Sequence, residues 1–385
     1  MRLGDGMRGL SRRRLVSVLL LLGTVVLTLL AVKNAQRKAG ADFNVIHRAV
    51  VAAVHGGDIY QAPAEEPTRR YRYAPGTAFV LAPFAALDLP DAKRAIRWVI
   101  AAALLGVVAW LSLRRGASAR PWAVPLAFLL GVRWWIDELH LGQVNLIALL
   151  AVLLAFTLED RGRRTWAGAL MALPITLKVA PAILAIDWAL RRRWQQLLGV
   201  CLGGLAIAAL PALRVGAGDT IRLHLRWLLT VSDSSHAMIA AIGNQSFWAM
   251  AFLVGAPRWA AALASIALVA LALRPADPDA RRALLLAATP LVSSYGWIQN
   301  FVFMIPLLAW VFQVGSGRQI LALVVFACVS PLVQYEVVGP VLEHWLIRRE
   351  VVGLAGLGVF CVGAWVAASQ QTPVARAEAA LGASG

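Results

Sequence analysis

The stretch LVSVLLLLGTVVLTLLAV, Leu15–Val32, carries no charge and reads as one helix. At 1.5 Å per residue such a helix is about 27 Å long, close to the hydrocarbon thickness of a bilayer. Arg12, Arg13 and Arg14 stand immediately before it. A cleaved leader has a shorter apolar region and a small-residue cleavage site. The run is therefore expected to be a retained first span that starts in the cytoplasm.

The same character fills the chain. Of its 385 residues 60% are hydrophobic and 15% charged, and the mean hydropathy is +0.70. Soluble domains carry about a quarter charged residues, so this composition calls for membrane lipid as solvent. The formal charge of +17 invites a nucleic-acid reading. The basic residues, however, cluster between apolar runs, at Arg12–Arg14, Arg114–Arg115, Arg161–Arg164, Arg191–Arg193 and Arg281–Arg282. That is the positive-inside pattern of cytoplasmic loops, and no nucleic acid is expected as partner. Cys201, Cys328 and Cys361 all lie inside apolar runs, with a spacing that suits neither a disulfide framework nor a metal site.

Spans in lipid must be helices or closed barrels, because every backbone polar group has to be paired internally. Twelve helices are expected: Leu15–Val32, Arg97–Leu113, Pro121–Ile136, Val144–Leu158, Thr165–Thr176, Lys178–Leu190, Leu197–Leu213, Pro257–Leu273, Ala283–Trp297, Asn300–Val314, Ile320–Tyr335 and Val351–Ala368. The fold class is thus an all-α polytopic membrane bundle. Residues 15–368 form its transmembrane domain, residues 1–14 a cytoplasmic N-terminus, and residues 369–385 a disordered cytoplasmic tail. The pair Thr165–Leu190 is broken by Pro174 and Pro181 and suits half-helices around a cavity. Tyr73–Leu87 is apolar but short and contains Pro75, Gly76 and Pro83. Counting it as a span would turn the arginine-rich loops outward, against the positive-inside bias. It is read as a re-entrant or interfacial helix on the outer face. Three outer segments are expected to carry function: Lys33–Ile96, Asp137–Gln143 and Arg214–Ala256.

Polar residues gather at these outer junctions. Asp42 begins a stretch with Phe43, Ile46, Val50 and Val54 near helical spacing. It is either a plain helix N-cap or a carboxylate held at the membrane boundary as a general base. Arg69, Arg70 and Arg72, beside Tyr73, suit a phosphate group or a solvated basic loop. Gln143 and Asn145 start the next helix, where buried amides need partners; helix–helix hydrogen bonding also accounts for Asn145. Lys178, between the two prolines, is an intramembrane cation that either meets a ligand or snorkels to the interface. Asn244 and Gln245 end the third outer segment, and Gln299 lies in the aromatic junction Ser293–Asn300. No Walker motif, dinucleotide fingerprint or H-E-x-x-H signature occurs, so neither metal nor cofactor is expected.

In order along the chain, Asp42-Phe43, Gly57-Asp58-Ile59-Tyr60, Tyr73-Ala74-Pro75, Gly142-Gln143-Val144-Asn145, Lys178 with Pro181, and Asn244-Gln245-Ser246 resemble glycosyltransferase family 87. These are integral-membrane enzymes of the GT-C class, and the similarity runs from about Asp42 to Leu308. The resemblance implies a hexosyltransferase, mannosyltransferase-like, in the bacterial cytoplasmic membrane with its active site facing outward. It would move a sugar from a polyprenyl-phosphate donor to a glycolipid or glycan acceptor. It makes Asp42 the catalytic base and places Lys178 and the outer arginines at the lipid phosphate. Tyr73, Gln143, Asn145, Asn244, Gln245 and Gln299 complete the candidate substrate-binding set. The sequence departs from the family pattern twice: Tyr73-Ala74-Pro75 stands where Tyr-Pro-Pro is common, and Gln299 follows Trp297 where a histidine is common. A transporter or flippase of lipid-linked sugars also fits many broken helices, but no internal repeat supports it.

Overall fold

The computed structural model describes residues 3–62, 69–114 and 120–382; Arg115 of the expected basic cluster lies outside them. The first helices are α1 (Leu3–Ala35), α2 (Ala41–His55), α3 (Pro75–Val80), α4 (Leu89–Leu113), α5 (Ala123–Leu130) and α6 (Val132–Leu141). Next come α7 (Asn145–Asp160), α8 (Arg164–Leu177), α9 (Ile183–Leu190), α10 (Trp194–Ala209), α11 (Ala212–Ile239), α12 (Phe247–Leu253) and α13 (Arg258–Leu273). The chain ends with α14 (Pro278–Val292), α15 (Ile305–Val314), α16 (Gly317–Ala327), α17 (Val329–Leu332), α18 (Tyr335–Val338), α19 (Pro340–Arg348) and α20 (Val351–Gly382). Short 3-10 turns at Ala82–Ala86, Ala180–Ala182 and Ile298–Met304 complete the helical structure. Among the described residues there is no β-strand, only an isolated bridge between Asn244 and Trp297.

Three helices are long and apolar enough to cross a bilayer, at Val18–Ala35, Leu89–Leu113 and Val351–Gln370. Counting each bent pair as one span brings the number to five: α6 with α7, bent by 118°, and α10 with α11, bent by 101°. Among the described residues three to five spans thus stand out by length and composition, fewer than the twelve expected helices, several of which are short. The reason is local chemistry, since Gly142 and Pro211 turn the chain and Pro174 and Pro181 cut the α8–α9 segment into short pieces. The Tyr73–Leu87 segment forms α3 and a 3-10 turn, of six and five residues, neither long enough to span. The segment Arg214–Ala256 is mostly α11, whose helical course is interrupted at Gly216, with φ +80° and ψ 168°.

The chain forms two compact units. One comprises Leu30–Val107 and Trp135–Ile239. Its centre is the parallel pair α8 and α10, packed backbone against backbone. A β-carbon on Gly168 would lie 1.9 Å from the Gln196 carbonyl oxygen, and one on Gly199 2.1 Å from that of Thr165. Small residues at such contacts supply the close van der Waals packing that replaces hydrophobic association in lipid. The short helix α3 wedges onto this pair: Gly76 abuts the Ile207 carbonyl, and the Thr77 hydroxyl donates to the Thr176 carbonyl at 3.2 Å. Helix α11 carries exposed Ile221, Leu225, Leu228 and Leu229 along one stripe and runs nearly perpendicular to α10, the posture of an interfacial helix.

The other unit comprises Met1–Leu29, Val108–Trp134 and Ala240–Gly385. Its core is α14 and α15 with α20 laid against them. Asp277 caps α14 by accepting from the Asp279 and Ala280 amides. Arg133, buried, donates to the Glu343 carboxylate at 2.9 Å, and the Trp134 indole donates to the Ser330 hydroxyl at 2.7 Å.

Candidate active site

Four of the residues singled out by the sequence meet at one end of the first unit. Gly40 adopts φ +61° and is the N-cap of α2, so Asp42 stands inside the first turn and caps nothing. Its half-buried carboxylate accepts instead from the Gln143 side-chain amide. The Gln143 carbonyl oxygen accepts in turn from the Tyr73 hydroxyl at 3.0 Å. The Lys178 ammonium sits over the Tyr73 ring, 5.4 Å from its centroid, within cation–π range.

Each position has a local cause. Gln143 is delivered by the turn between α6 and α7, where Gly142 takes φ +72° and its amide closes on the Glu138 carbonyl at 2.8 Å. A β-carbon at Gly142 would lie 2.6 Å from that of Phe43, so only glycine lets the turn approach α2 this closely. Lys178 ends α8 in an extended conformation, its amide bonded to the Pro174 carbonyl. Pro181 follows within a 3-10 turn. The break thus frees the lysine from the helix and holds it at the Tyr73 ring.

Burial raises the Tyr73 phenol above its ordinary pKa, although Lys178 pulls the other way. A neutral phenol donates, which fixes the orientation of the Gln143 amide: oxygen to Tyr73, nitrogen to Asp42. The carboxylate is thereby oriented through two residues. Tyr73 is itself held by a strap. The Tyr60 hydroxyl donates to the Tyr73 carbonyl at 3.1 Å, and the Tyr60, Tyr71 and Tyr73 rings follow one another at centroid spacings of 5.9 and 5.4 Å. Helix α11 secures this strap: Arg226 pairs with Asp58 at 2.7 Å, and the Trp227 indole donates to the Arg72 carbonyl at 3.0 Å. Arg72 is half-buried, while Arg69 and Arg70 lie at the exposed start of the same segment.

Two residues outside the expected set support this geometry. Glu138, fully buried, accepts from the Asn145 amide at 3.0 Å and the Leu146 amide at 3.4 Å, and from the Asn145 side chain. It caps α7 from the preceding helix and satisfies donors that a helix start leaves unpaired. Asn145 is therefore engaged within the turn. Arg97, only 2% exposed, donates to the Lys38 carbonyl at 2.8 Å, to the Gln36 side chain at 3.3 Å and to the Leu139 carbonyl at 3.3 Å. It ties the linker before α2 to the end of α6. The available sequence signals were the acidic member of the Asp137–Gln143 patch and a lone arginine opening an expected span.

The remaining candidates belong to the second unit. Asn244 and Gln245 are fully buried. The Asn244 side chain accepts from the Gly296 amide at 2.9 Å and donates to the Ser294 carbonyl at 2.9 Å. The Gln245 side chain donates to the Ile347 carbonyl and accepts from the Gly353 amide, at 2.9 and 3.0 Å. Both hold backbone segments together. Gln299 is buried in the 3-10 turn Ile298–Met304, just after the Ser294–Gly296 segment that Asn244 binds. Glu350, in the turn before α20, is 8% exposed and its Oε2 has no hydrogen-bond partner among the described residues; burial pushes its carboxyl up to about 8. No cluster of three or more metal-binding side chains occurs among the described residues.

Asp42 and Lys178 are thus linked, carboxylate to cation, through Gln143 and Tyr73. The profile of glycosyltransferase family 87 matches residues 71–294, more than half the chain; the chain belongs to that family. It is 31% identical over 179 residues to α-(1→3)-arabinofuranosyltransferases of Mycobacterium tuberculosis, strains CDC 1551 / Oshkosh and ATCC 25618 / H37Rv, a match covering 44% of this chain. It spans about two fifths, 41%, of the length of these curated relatives. No solved structure matches it.

Proposed function

We propose that the protein transfers a sugar from a polyprenyl-phosphate donor to an acceptor hydroxyl at the outer face of the cytoplasmic membrane. The observation that carries this reading is the joined set Asp42, Gln143, Tyr73 and Lys178. Asp42 takes the proton of the acceptor hydroxyl as that oxygen attacks the anomeric carbon. The bond from anomeric carbon to phosphate oxygen breaks, and Lys178 neutralises the charge that develops on the departing lipid phosphate. A single displacement of this kind inverts the anomeric configuration. A polyprenyl carrier keeps its chain in the bilayer and brings the phosphate to membrane level, where a lysine freed by a helix break can meet it.

The sequence resemblance favours a mannosyl donor, whereas the curated relatives are named as arabinofuranosyl transferases. Purified protein offered polyprenyl-phosphate mannose and polyprenyl-phosphate arabinofuranose separately, with a glycan acceptor, decides between hexose and pentose. Consumption of neither, with a nucleotide sugar consumed instead, overturns the lipid-phosphate donor.

A further inference from the structure

The first unit repeats one turn thirty residues apart. Between α7 and α8, the amides of Arg161, Gly162 and Arg163 donate to the carbonyls of Thr157, Glu159 and Leu158 at 3.1, 2.9 and 2.8 Å. Between α9 and α10, those of Arg191, Arg192 and Arg193 donate to the carbonyls of Asp187, Ala189 and Trp188 at 3.0, 3.0 and 2.8 Å. Gly162 has φ +75° and Arg192, at the same place in its turn, φ +55°. Because α8 and α10 run parallel in backbone contact, the two turns lie side by side. They are at the end of the unit opposite Asp42, separated from Gln143 by the length of α7, about 24 Å.

Together the turns open a cavity of about 690 Å³ lined by Arg164, Arg191, Arg192, Arg193 and Gln195. The carboxylates nearby account for only part of this charge. Glu159 pairs with Arg193 at 3.2 Å and Asp187 with Arg191 at 2.7 Å. Over 159–164 and 187–193 six arginines stand against Glu159, Asp160 and Asp187. Arg164 and Arg192 are exposed without a carboxylate partner among the described residues. Helices α8 and α10 both begin here with no side-chain cap, since their N-cap residues are Arg163 and Arg193, so their positive ends add to the guanidinium field.

From this cavity an apolar stripe runs up the outside of α10: Trp194, Leu198, Leu202 and Leu205, at 66, 54, 53 and 68% exposure. Trp166 stands exposed on α8 beside its start. Exposed indoles at the mouth with leucines above them are the profile of a membrane interface and its acyl region. We infer that the paired turns bind the phosphate group of an anionic lipid, with its acyl chains along α10, at a place distinct from the Asp42 site. Guanidinium forks match phosphate oxygens in pairs, and the stripe distinguishes a lipid phosphodiester from a free anion. A general positive-inside bias requires only scattered arginines; it does not require a shared cavity or an arginine at a left-handed position that the sister turn gives to glycine.

The test uses the full chain purified in neutral detergent and titrated with dioleoyl phosphatidylglycerol, dioleoyl phosphatidylcholine or sodium phosphate, with binding read by thermal shift and native mass spectrometry. The variant pair is Arg164→Gln with Arg192→Gly. The glycine relieves the left-handed backbone, so the fold is kept. A control pair, Arg274→Gln with Arg318→Gln, removes the same charge from exposed positions elsewhere. Phosphatidylglycerol should bind wild type and the control pair, bind the Arg164/Arg192 pair roughly tenfold or more weakly, and outcompete phosphatidylcholine. Sodium phosphate acting alone, with phosphatidylglycerol inert, overturns the lipid assignment. Equal binding by all three proteins, or equal loss in both pairs, overturns the site.

Discussion

At the scale of single residues the proposed mechanism separates Asp42 and Lys178, which act on the reactants, from Gln143 and Tyr73, which aim them. Asp42→Asn keeps the shape and the bond to Gln143 within reach while removing the base. It is expected to lower the transfer rate by roughly 10²–10⁴-fold with donor affinity unchanged. Lys178→Met keeps much of the stem and removes the charge; it should weaken donor binding about tenfold or more, by the scale of one charge-assisted bond, measured by donor titration in nanodiscs. Simple snorkelling of the lysine predicts no change. Glu350 gives a pH prediction. Its folded carboxyl is raised to about 8 against an ordinary 4.5, so the folded state keeps a proton that the unfolded chain releases. Stability therefore falls as pH rises from about 4.5 to about 8 and levels above. Glu350→Gln should remove that fall and stabilise the protein by roughly 1–3 kcal/mol at pH 8, seen as a raised thermal midpoint there and little change at pH 4.5.

At the scale of elements, the turns decide what the helices present. Gly142→Ala places a methyl against Phe43 and forces a left-handed backbone. A cost of about 1–2 kcal/mol from the backbone alone is expected, with activity lost beyond the loss of folded protein, as read by specific activity per folded molecule in size-exclusion chromatography. The helical breaks were legible in the sequence, since Pro174 and Pro181 announce the gap in which Lys178 sits. Gln143 was legible as a polar group at a junction. The bonding of Gln143 to Asp42 was not, because 101 residues separate them and nothing in either local pattern encodes that approach. The role of Arg97 was not legible for a related reason: its partners are backbone carbonyls and one amide side chain, which leave no complementary charge in the sequence. Asn244 and Gln245 were legible as polar residues at a junction, but not the backbone groups that they bind.

At the scale of the molecule, hydropathy identifies a helical membrane protein, while the bends that divide its apolar runs are not written in hydropathy. The pair α10 with α11 reads as a span and a loop, whereas the chain turns by 101° into further helix. This layout leaves an enzyme and a lipid-linked sugar flippase with the same composition and separates them only by what Asp42 does. The decisive measurement is transfer in liposomes carrying the purified protein, a polyprenyl-phosphate sugar and an acceptor glycan, with no nucleotide added. Wild type should form a new glycosidic bond of inverted anomeric configuration, and Asp42→Asn should bind the donor without forming it. Movement of the lipid-linked sugar across the bilayer without bond formation, or transfer by Asp42→Asn at the wild-type rate, would contradict the account.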